Sequence, residues 1–522
     1  MALPRLVVTG ASGFVGRHLL AALQEDFRIF GIARRSQARS GAPRHANISW
    51  SQVDIGDRPG LKTVFDQIAA DGGADTIIHL AAHYDFTGEE HPEYMRTNVE
   101  GLRNVLDLSK EHRFRHFVFS SSVAASRFPG PGRALDEDSP TDGDHIYART
   151  KRIGEKMLAE YRDAFPSTIV RFAAMFSDWC EYPPLFMFLL TWLSPAWNRG
   201  ILGGRGRSAI PYLHVKDAVS LLRRVLDLAQ TLTPGEVLIA SPDGATSHEE
   251  LFEAATLGYF GARKKPFHMP KILCGPGMAA RDFLGRLTGA RPFEQPWMAR
   301  YIDLAMTIDA KRTRERLGWA PRPRLEILRR FPFLLENLKT NPVEWHHLNR
   351  AAMKRVELPE NLRLYALLER HQDEIVRRYS ELLLDTKGPV RFPRYRTISP
   401  EDQSWNHRVV LRHLMNAVRT KENGLLVAYC RDLAARRFEQ GFEAAELCGA
   451  LEGLNLVCFR VLRRDPESED VRQLMLDLIT MALRCGCDAV QEVFEELEDR
   501  KAREARLRPP TPSGGRSTRE GP

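Results

Sequence analysis

The feature that most constrains this chain stands near its start, where the apolar run Leu6-Val7-Val8-Thr9 leads directly into Gly10-Ala11-Ser12-Gly13-Phe14-Val15-Gly16. A helix-like stretch, Arg17 to Gln24, follows at once. A β-branched run, three spaced glycines and an amphipathic segment predict a strand, a tight turn and a helix. Gly10 permits the turn, Gly13 lets backbone approach a pyrophosphate, and Gly16 lets the helix lie against the sheet, while the helix N-terminus favours an anion. The loop, with Ser12, Phe14 and Val15 among its contacts, is therefore predicted to bind a dinucleotide, although its spacing departs from G-x-G-x-x-G.

Short apolar runs continue to alternate with helix-like stretches: Arg28 to Ala33, Thr76 to Leu80, His116 to Ser120 and Thr168 to Phe172. That alternation predicts βαβ units on a parallel sheet. Ile210 to Asp217 reads as a return to the sheet followed by a helix. The expected fold class is α/β: a Rossmann-type doubly wound parallel sheet over residues 1–330, with a small mixed substrate-binding region near 173–212 and 232–330. An all-α helical bundle is expected after it.

At 522 residues the chain is long enough for several domains. Strand signals stop near residue 345, and apolar positions then recur with helical spacing, as in Leu368, Ile375, Tyr379 and Leu382. The expected divisions are a connector at 331–344, a helical regulatory or docking domain at 345–500, and a disordered basic tail at 501–522. Gly388-Pro389 is expected to stop a helix. The tail holds six basic and two acidic residues, half of the chain's net charge of +8, so the rest is only mildly basic and no specific nucleic acid is expected. Seven scattered cysteines show no zinc spacing, so no metal is expected. The absence of a signal-like start implies a cytoplasmic protein. The longest near-apolar run, Pro183 to Leu193, falls short of the roughly 20 residues that span a bilayer, so no transmembrane segment is expected.

Where an NAD-preferring site carries an acid at the end of its second strand, this chain has Arg34-Arg35. Two guanidiniums suit a ribose 2′-phosphate, which favours NADP(H), with NAD(H) left open. Phe119-Ser120-Ser121-Ser122 ends a predicted strand, and Tyr147 and Lys151 follow four apart on one helical face. A neighbouring ammonium lowers a phenol's pKa and suits it to proton transfer. A serine hydroxyl beside them can hold a substrate oxygen.

Together these pieces resemble the extended short-chain dehydrogenase/reductase family of NAD(P)-dependent epimerases, dehydratases and 3β-hydroxysteroid dehydrogenase-like enzymes. The resemblance rests on TGASGFVG, Asp54-Ile55, His79-Leu80-Ala81-Ala82, Thr97-Asn98-Val99-Glu100-Gly101, FSSS, YARTK, IPYLHVKD and RERLGW, and covers about residues 4–330. It implies that Asp54 and Ile55 flank the adenine, that Leu80, Ala81 and Ala82 line the cofactor, and that Asn98 supports the catalytic network. It further implies Ser122, ahead of Ser121, as catalytic serine, Tyr147 as acid/base and Lys151 as its partner and ribose ligand. A homodimer is plausible on resemblance.

The sugar-nucleotide members' R-P-x-N-x-Y-G-P stretch is matched here only by Arg171. Seven aromatics between Phe176 and Trp197 instead suit a pocket wall, a buried interface or peripheral membrane contact. Arg205 and Arg207 suit either a diphosphate or a solvated turn. The leading reading is hydride transfer between NADP(H) and a bulky, largely apolar carbonyl or alcohol. Its alternatives are a nucleotide-sugar epimerase or dehydratase with tightly bound NAD, and an NADP(H)-binding redox sensor signalling through the helical domain.

The helical part, from His371 through Asn406 to Phe438-Glu439-Gln440-Gly441-Phe442-Glu443, distantly resembles the sensor domains of bacterial stress co-antagonists and some histidine kinases, which implies a protein partner. His371 is expected as a core histidine, and His407 and His413 are not expected to share a metal. Cys485 and Cys487 read as buried thiols or a redox pair.

Overall fold

Seven parallel strands form the central sheet: β1 (Arg5–Thr9), β2 (Arg28–Ala33), β3 (Ile48–Gln52), β4 (Thr76–His79), β5 (His116–Ser122), β6 (Ser167–Phe172) and β7 (Glu236–Ala240). Their order is β3-β2-β1-β4-β5-β6-β7. The order reverses between β1 and β4, which opens a crevice at the carboxyl ends of those strands. The computed structural model describes residues 3–288, 292–352, 359–385, 392–465, 468 and 471–507. The chain divides into two compact units at residues 356/357.

Because both sheet faces are covered, the inner strands are apolar on both sides, while the edge strand β3 is not. Leu6 and Val8 of β1 pack with Leu19 and Leu20 of α1 (Phe14–Leu23), while Val7 joins the core on the other face. That second core takes Phe65 from α2 (Arg58–Ala70), Val105 from α3 (Gly101–Glu111) and Met157 from α4 (Ile146–Glu160). A third core lies beside the sheet, with α5 (Pro183–Trp192) and α7 (His248–Phe260) in it; α6 (Val215–Leu228) packs instead in the core that holds α1, and α8 (Lys271–Thr288) follows α7. Phe176, Phe186 and Trp192 of the aromatic stretch are buried there with Phe252 of α7. Most of that stretch is thus the unit's own core, and Trp197 alone of the three tryptophans is largely exposed.

Two expectations of the sequence are corrected here. Residues 209–214 do not rejoin the main sheet: Tyr212–His214 pairs with Ala174–Phe176 in a separate two-stranded sheet, and Glu236–Ala240 is the strand that returns. The connector expected at 331–344 is instead helical, within α9 (Ile327–Thr340) and α10 (Pro342–Ala352). Phe331, Leu334 and Leu335 share one face of α9 and, with Trp345 of α10, are buried in the third core, so these helices, and with them residues 345–352, belong to the first unit.

The second unit is helical, with helices Glu360–Arg370, Gln372–Leu384, Pro400–Thr420, Gly424–Glu439, Ala444–Leu462 and Met481–Leu507. It has a core of its own, from Leu364 to Phe494. Its last helix continues through 501–507, where a disordered tail was expected; residues 508–522 and Gly388-Pro389 lie outside the described residues. His371 is not in the core but at a helix junction, with Nε2 2.9 Å from Asp465. His407 bonds Ser380 (2.8 Å), and burial pushes its pKa down to about 4. Cys487 lies against Cys448 rather than Cys485, and the described cysteines are free thiols.

Candidate active site

The turn after β1 is built as its glycines require. Gly10 has φ +70°, and a Cβ there would lie 2.6 Å from the Ala81 amide nitrogen. A Cβ on Gly16 would stand 2.5 Å from the Gly10 carbonyl oxygen, so only glycine lets α1 start this close to the loop. The result is a cleft of about 910 Å³. Of the residues expected at the dinucleotide, Gly10, Ser12, Gly13, Arg34, Arg35, Asp54, Ile55, Leu80, Ala81 and Ala82 line it. Phe14, Val15, Gly16, Tyr147 and Lys151 do not; the first three serve α1 and its seat on the sheet. The cleft's volume lies within the ~300–1,000 Å³ typical of small-molecule and cofactor sites. Its bare backbone at Gly10 and Gly13, beside the start of α1, fits a dinucleotide pyrophosphate.

Arg34 and Arg35 both reach this cleft, but differently. Arg35 donates to the Ser12 carbonyl oxygen (2.6 Å) and approaches Ser12 Oγ (3.4 Å), which ties the end of β2 to the glycine loop. Partial burial and the neighbouring Arg17 and Arg34 lower its pKa. Arg34 pairs with Glu93 (3.3 Å), and Arg96 binds Asp54 (2.8 Å) and Glu93, so Asp54 is held in a charged network at the cleft edge.

Tyr147 and Lys151 sit one turn apart at the start of α4. Lys151 is buried; its Nζ lies 5.5 Å from the Tyr147 ring centre and donates to the Ser120 carbonyl oxygen at 2.6 Å. The expected lowering of the Tyr147 pKa is not what this environment gives. Burial pushes the phenol up, and burial also pushes the Lys151 ammonium down, to about 8. Desolvation biases both groups toward their neutral forms, opposed at Lys151 by the Glu155 charge.

The three serines at the end of β5 divide by the strand's alternation. Ser120 Oγ bonds the His79 carbonyl oxygen (2.7 Å), and Ser121 Oγ donates to Glu155 (2.5 Å), which is paired with buried Arg171 (2.8 Å). Ser121 and Arg171 are thus committed to a buried network. Ser122 Oγ accepts from the Ala124 amide (3.1 Å) and keeps its proton to donate. Asn98 is buried, bonds both the amide and the carbonyl of His83 (2.6 and 3.0 Å), and donates to Thr150 (3.1 Å). It joins the loop after β4 to α4, as a positioning residue.

Sequence reasoning missed the aromatic wall. Tyr84 lines the cleft and stacks on Tyr147, with ring centres 4.2 Å apart, and Phe86 lies 3.9 Å beyond it. Tyr182 and Phe293 flank Phe86. The signal was present in His83-Tyr84-Asp85-Phe86, directly after the Ala81-Ala82 pair. Also missed were His347 and Arg350 of α10, which line the same cleft. Asn349 fixes that helix by accepting from the Glu181 amide and donating to the Trp179 carbonyl oxygen, both at 2.8 Å, and buried Glu181 pairs with Arg17 of α1. Nothing in the local sequence joins residue 350 to residue 10. Arg205 and Arg207 lie on a turn whose amides bond Asp303 (2.7 and 3.4 Å). Among the described residues no cluster of His, Cys, Asp or Glu suits a metal, and no helix is long and apolar enough to cross a membrane.

The profile of the NAD dependent epimerase/dehydratase family matches residues 6–240. That match covers the sheet-bearing part of the first unit, from β1 to β7. The chain is similar to N-acetyl-alpha-D-glucosaminyl-diphospho-ditrans,octacis-undecaprenol 4-epimerase of Escherichia coli O157:H7, 30% identical over 178 residues, which are 33% of this chain and 49% of that protein. A putative dihydroflavonol 4-reductase of Synechocystis is 30% identical over 131 residues, 25% of this chain and 36% of that protein. The chain spans about half the length of the curated relatives it matches. The UDP-glucose 4-epimerase structure of Thermotoga maritima superposes with a TM-score of 0.50 at 19% identity, covering 65% of this chain and 99% of that one. That likeness supports the Rossmann-type fold of the first unit.

Proposed function

We propose that the first unit is an NAD(P)-dependent oxidoreductase that moves hydride to or from a carbonyl/alcohol carbon of a bulky, largely apolar substrate. The observation that carries this reading is the stack of Tyr84 on Tyr147, backed by Phe86, Tyr182 and Phe293, beside buried Lys151. An aromatic wall at the proton-transfer group favours a flat or apolar substrate over a hydrated sugar. Tyr147 donates the proton to the developing alkoxide, or takes it in the reverse direction. Ser122 holds the same oxygen through its hydroxyl. Lys151 supplies positive charge next to the phenol and a donor for the ribose, while Asn98 fixes the two elements on which these groups stand. A bound nicotinamide supplies or accepts the hydride. Arg34 and Arg35, in the place of an acid, favour NADP(H), although the family is named for NAD.

A second reading, a nucleotide-sugar epimerase or dehydratase using the same residues with retained NAD, draws support from the names of relatives such as the UDP-glucuronate 4-epimerases of Arabidopsis thaliana and the human dTDP-D-glucose 4,6-dehydratase. Against it stands Arg171, which is bound to Glu155 and the Ser139 carbonyl oxygen and points no free guanidinium at a substrate. Mass spectrometry of small molecules released from undialysed protein separates the two. Empty protein that reduces apolar ketones or aldehydes with NADPH, and loses turnover but not cofactor binding in Tyr147→Phe, supports the first. Stoichiometric NAD, with no such reductase activity, overturns it in favour of the second.

A further inference from the structure

The outer side of α8 (Lys271–Thr288) is apolar where a surface helix is normally polar. Successive residues step about 100° around a helix, which places Ile272, Leu273, Pro276, Phe283, Leu284 and Leu287 within an arc of roughly 120°. The residues that α8 buries, Cys274, Asp282 and Gly285, lie on the opposite side. The apolar arc therefore faces solvent: Ile272 is 83% exposed, and Leu273, Phe283, Leu284 and Leu287 are each more than half exposed. Two more large rings adjoin its start. Phe267, also mostly exposed, belongs to the strand Phe267–Met269, which pairs with Ile201–Gly203, and Trp197, 83% exposed, precedes that strand. Isolated exposed apolar side chains are ordinary, but a contiguous row of this size is not.

Charge says what covers it. Residues 261–288 contain six lysines and arginines against a single acid, Asp282, which is buried under Arg286. Arg281 and Arg286 flank the apolar arc on its two sides, both about half exposed or more. Arg281 stands 3.6 Å from Glu294 and Arg286 2.9 Å from Asp282, so each can exchange a carboxylate for a lipid phosphate, and the surplus of cations over the segment remains. An apolar strip between cationic margins matches the interface of an anionic bilayer, where the rings enter the acyl boundary and the guanidiniums meet lipid phosphates. A second copy of the chain is disfavoured, because a two-fold contact through this face would bring the same cationic margins together. We propose that α8, with Phe267 and Trp197, is an in-plane docking surface for anionic phospholipid. The surface holds the first unit on a membrane, a role independent of the reaction proposed for its cleft.

The full-length protein is tested by co-sedimentation with phosphatidylcholine vesicles, with and without phosphatidylglycerol. The expected result is binding at least about tenfold stronger to the anionic vesicles, weakened by salt. Phe283→Asp with Leu287→Asp should abolish it, and Arg281→Glu with Arg286→Glu should remove the preference for phosphatidylglycerol; all four side chains are exposed, and circular dichroism checks that the fold is kept. Brominated lipid should quench a fluorescence component that is missing in Trp197→Phe. No vesicle binding by the wild type overturns the proposal, as does binding that the Phe283→Asp, Leu287→Asp pair leaves intact. A dimer lost in that pair, without vesicle binding, also overturns it and assigns the face to a second copy.

Discussion

Replacing Lys151 by methionine should stabilise the apoprotein while removing its activity. Burial holds the ammonium's pKa near 8 against an ordinary 10.5, and the side chain is only 4% exposed. At about 1.4 kcal/mol per pH unit between the two values, keeping this charge in the fold at neutral pH costs about 3 kcal/mol. The substitution also removes the donor to the Ser120 carbonyl oxygen, at a cost of about 1 kcal/mol. The net gain at pH 7 is then about 2 kcal/mol. Its pH dependence follows from linkage. Between about pH 8 and 10.5 the unfolded chain binds more protons at this site than the folded one, so wild-type stability rises with pH through that window relative to the variant. Below pH 8 the penalty is complete, and above 10.5 the variant's advantage is gone. Urea unfolding followed by tryptophan fluorescence reads this directly, because seven of the eight tryptophans lie in the first unit. A variant less stable than wild type at pH 7, or a difference that does not change up to pH 10.5, would refute the desolvation argument.

Three other outcomes are expected. Gly10→Ala, which forces a Cβ to 2.6 Å from the Ala81 nitrogen at φ +70°, should lower stability by about 1–3 kcal/mol and abolish dinucleotide binding in fluorescence titrations. Arg34→Ala should weaken NADPH about tenfold or more and NADH little, since a bidentate phosphate contact is worth roughly 1.5–3 kcal/mol; equal losses would remove the 2′-phosphate role. Arg350→Ala should weaken either dinucleotide with no change in melting temperature, whereas Asn349→Ala, which frees α10 from Trp179 and Glu181, should lower both.

The seven strands were not equally legible. β1 announced itself through its glycine loop, and β4 and β5 through apolar runs, whereas β3, Ile48-Ser49-Trp50-Ser51-Gln52, is polar at alternate positions and carries no such signal. Its pairing with β2 is a long-range choice that local propensity does not encode. At the site, Gly10, Tyr147 and Lys151 were readable because their spacing is local: a turn for the first, four residues of helix for the other pair. The electrostatics were not readable. Proximity in sequence suggested that Lys151 would acidify Tyr147, but burial, a property of the whole fold, moves both toward neutrality.

The sequence by itself determined the α/β class, the glycine turn after β1 and the placing of Tyr147 and Lys151 one helical turn apart, since each depends on residues within one or two turns of chain. Tertiary structure decided which of three adjacent serines keeps a free proton, because Glu155 and the His79 carbonyl claim the other two from remote strands and helices. It also carried α10, more than 320 residues after the glycine loop, to the wall of the same cleft. It turned the apolar side of α8 outward, because the other side, with Cys274 and Gly285, is the one that fits the body of the unit. Amphipathic spacing fixes that a helix has two sides; which side meets water depends on what the rest of the chain offers each of them.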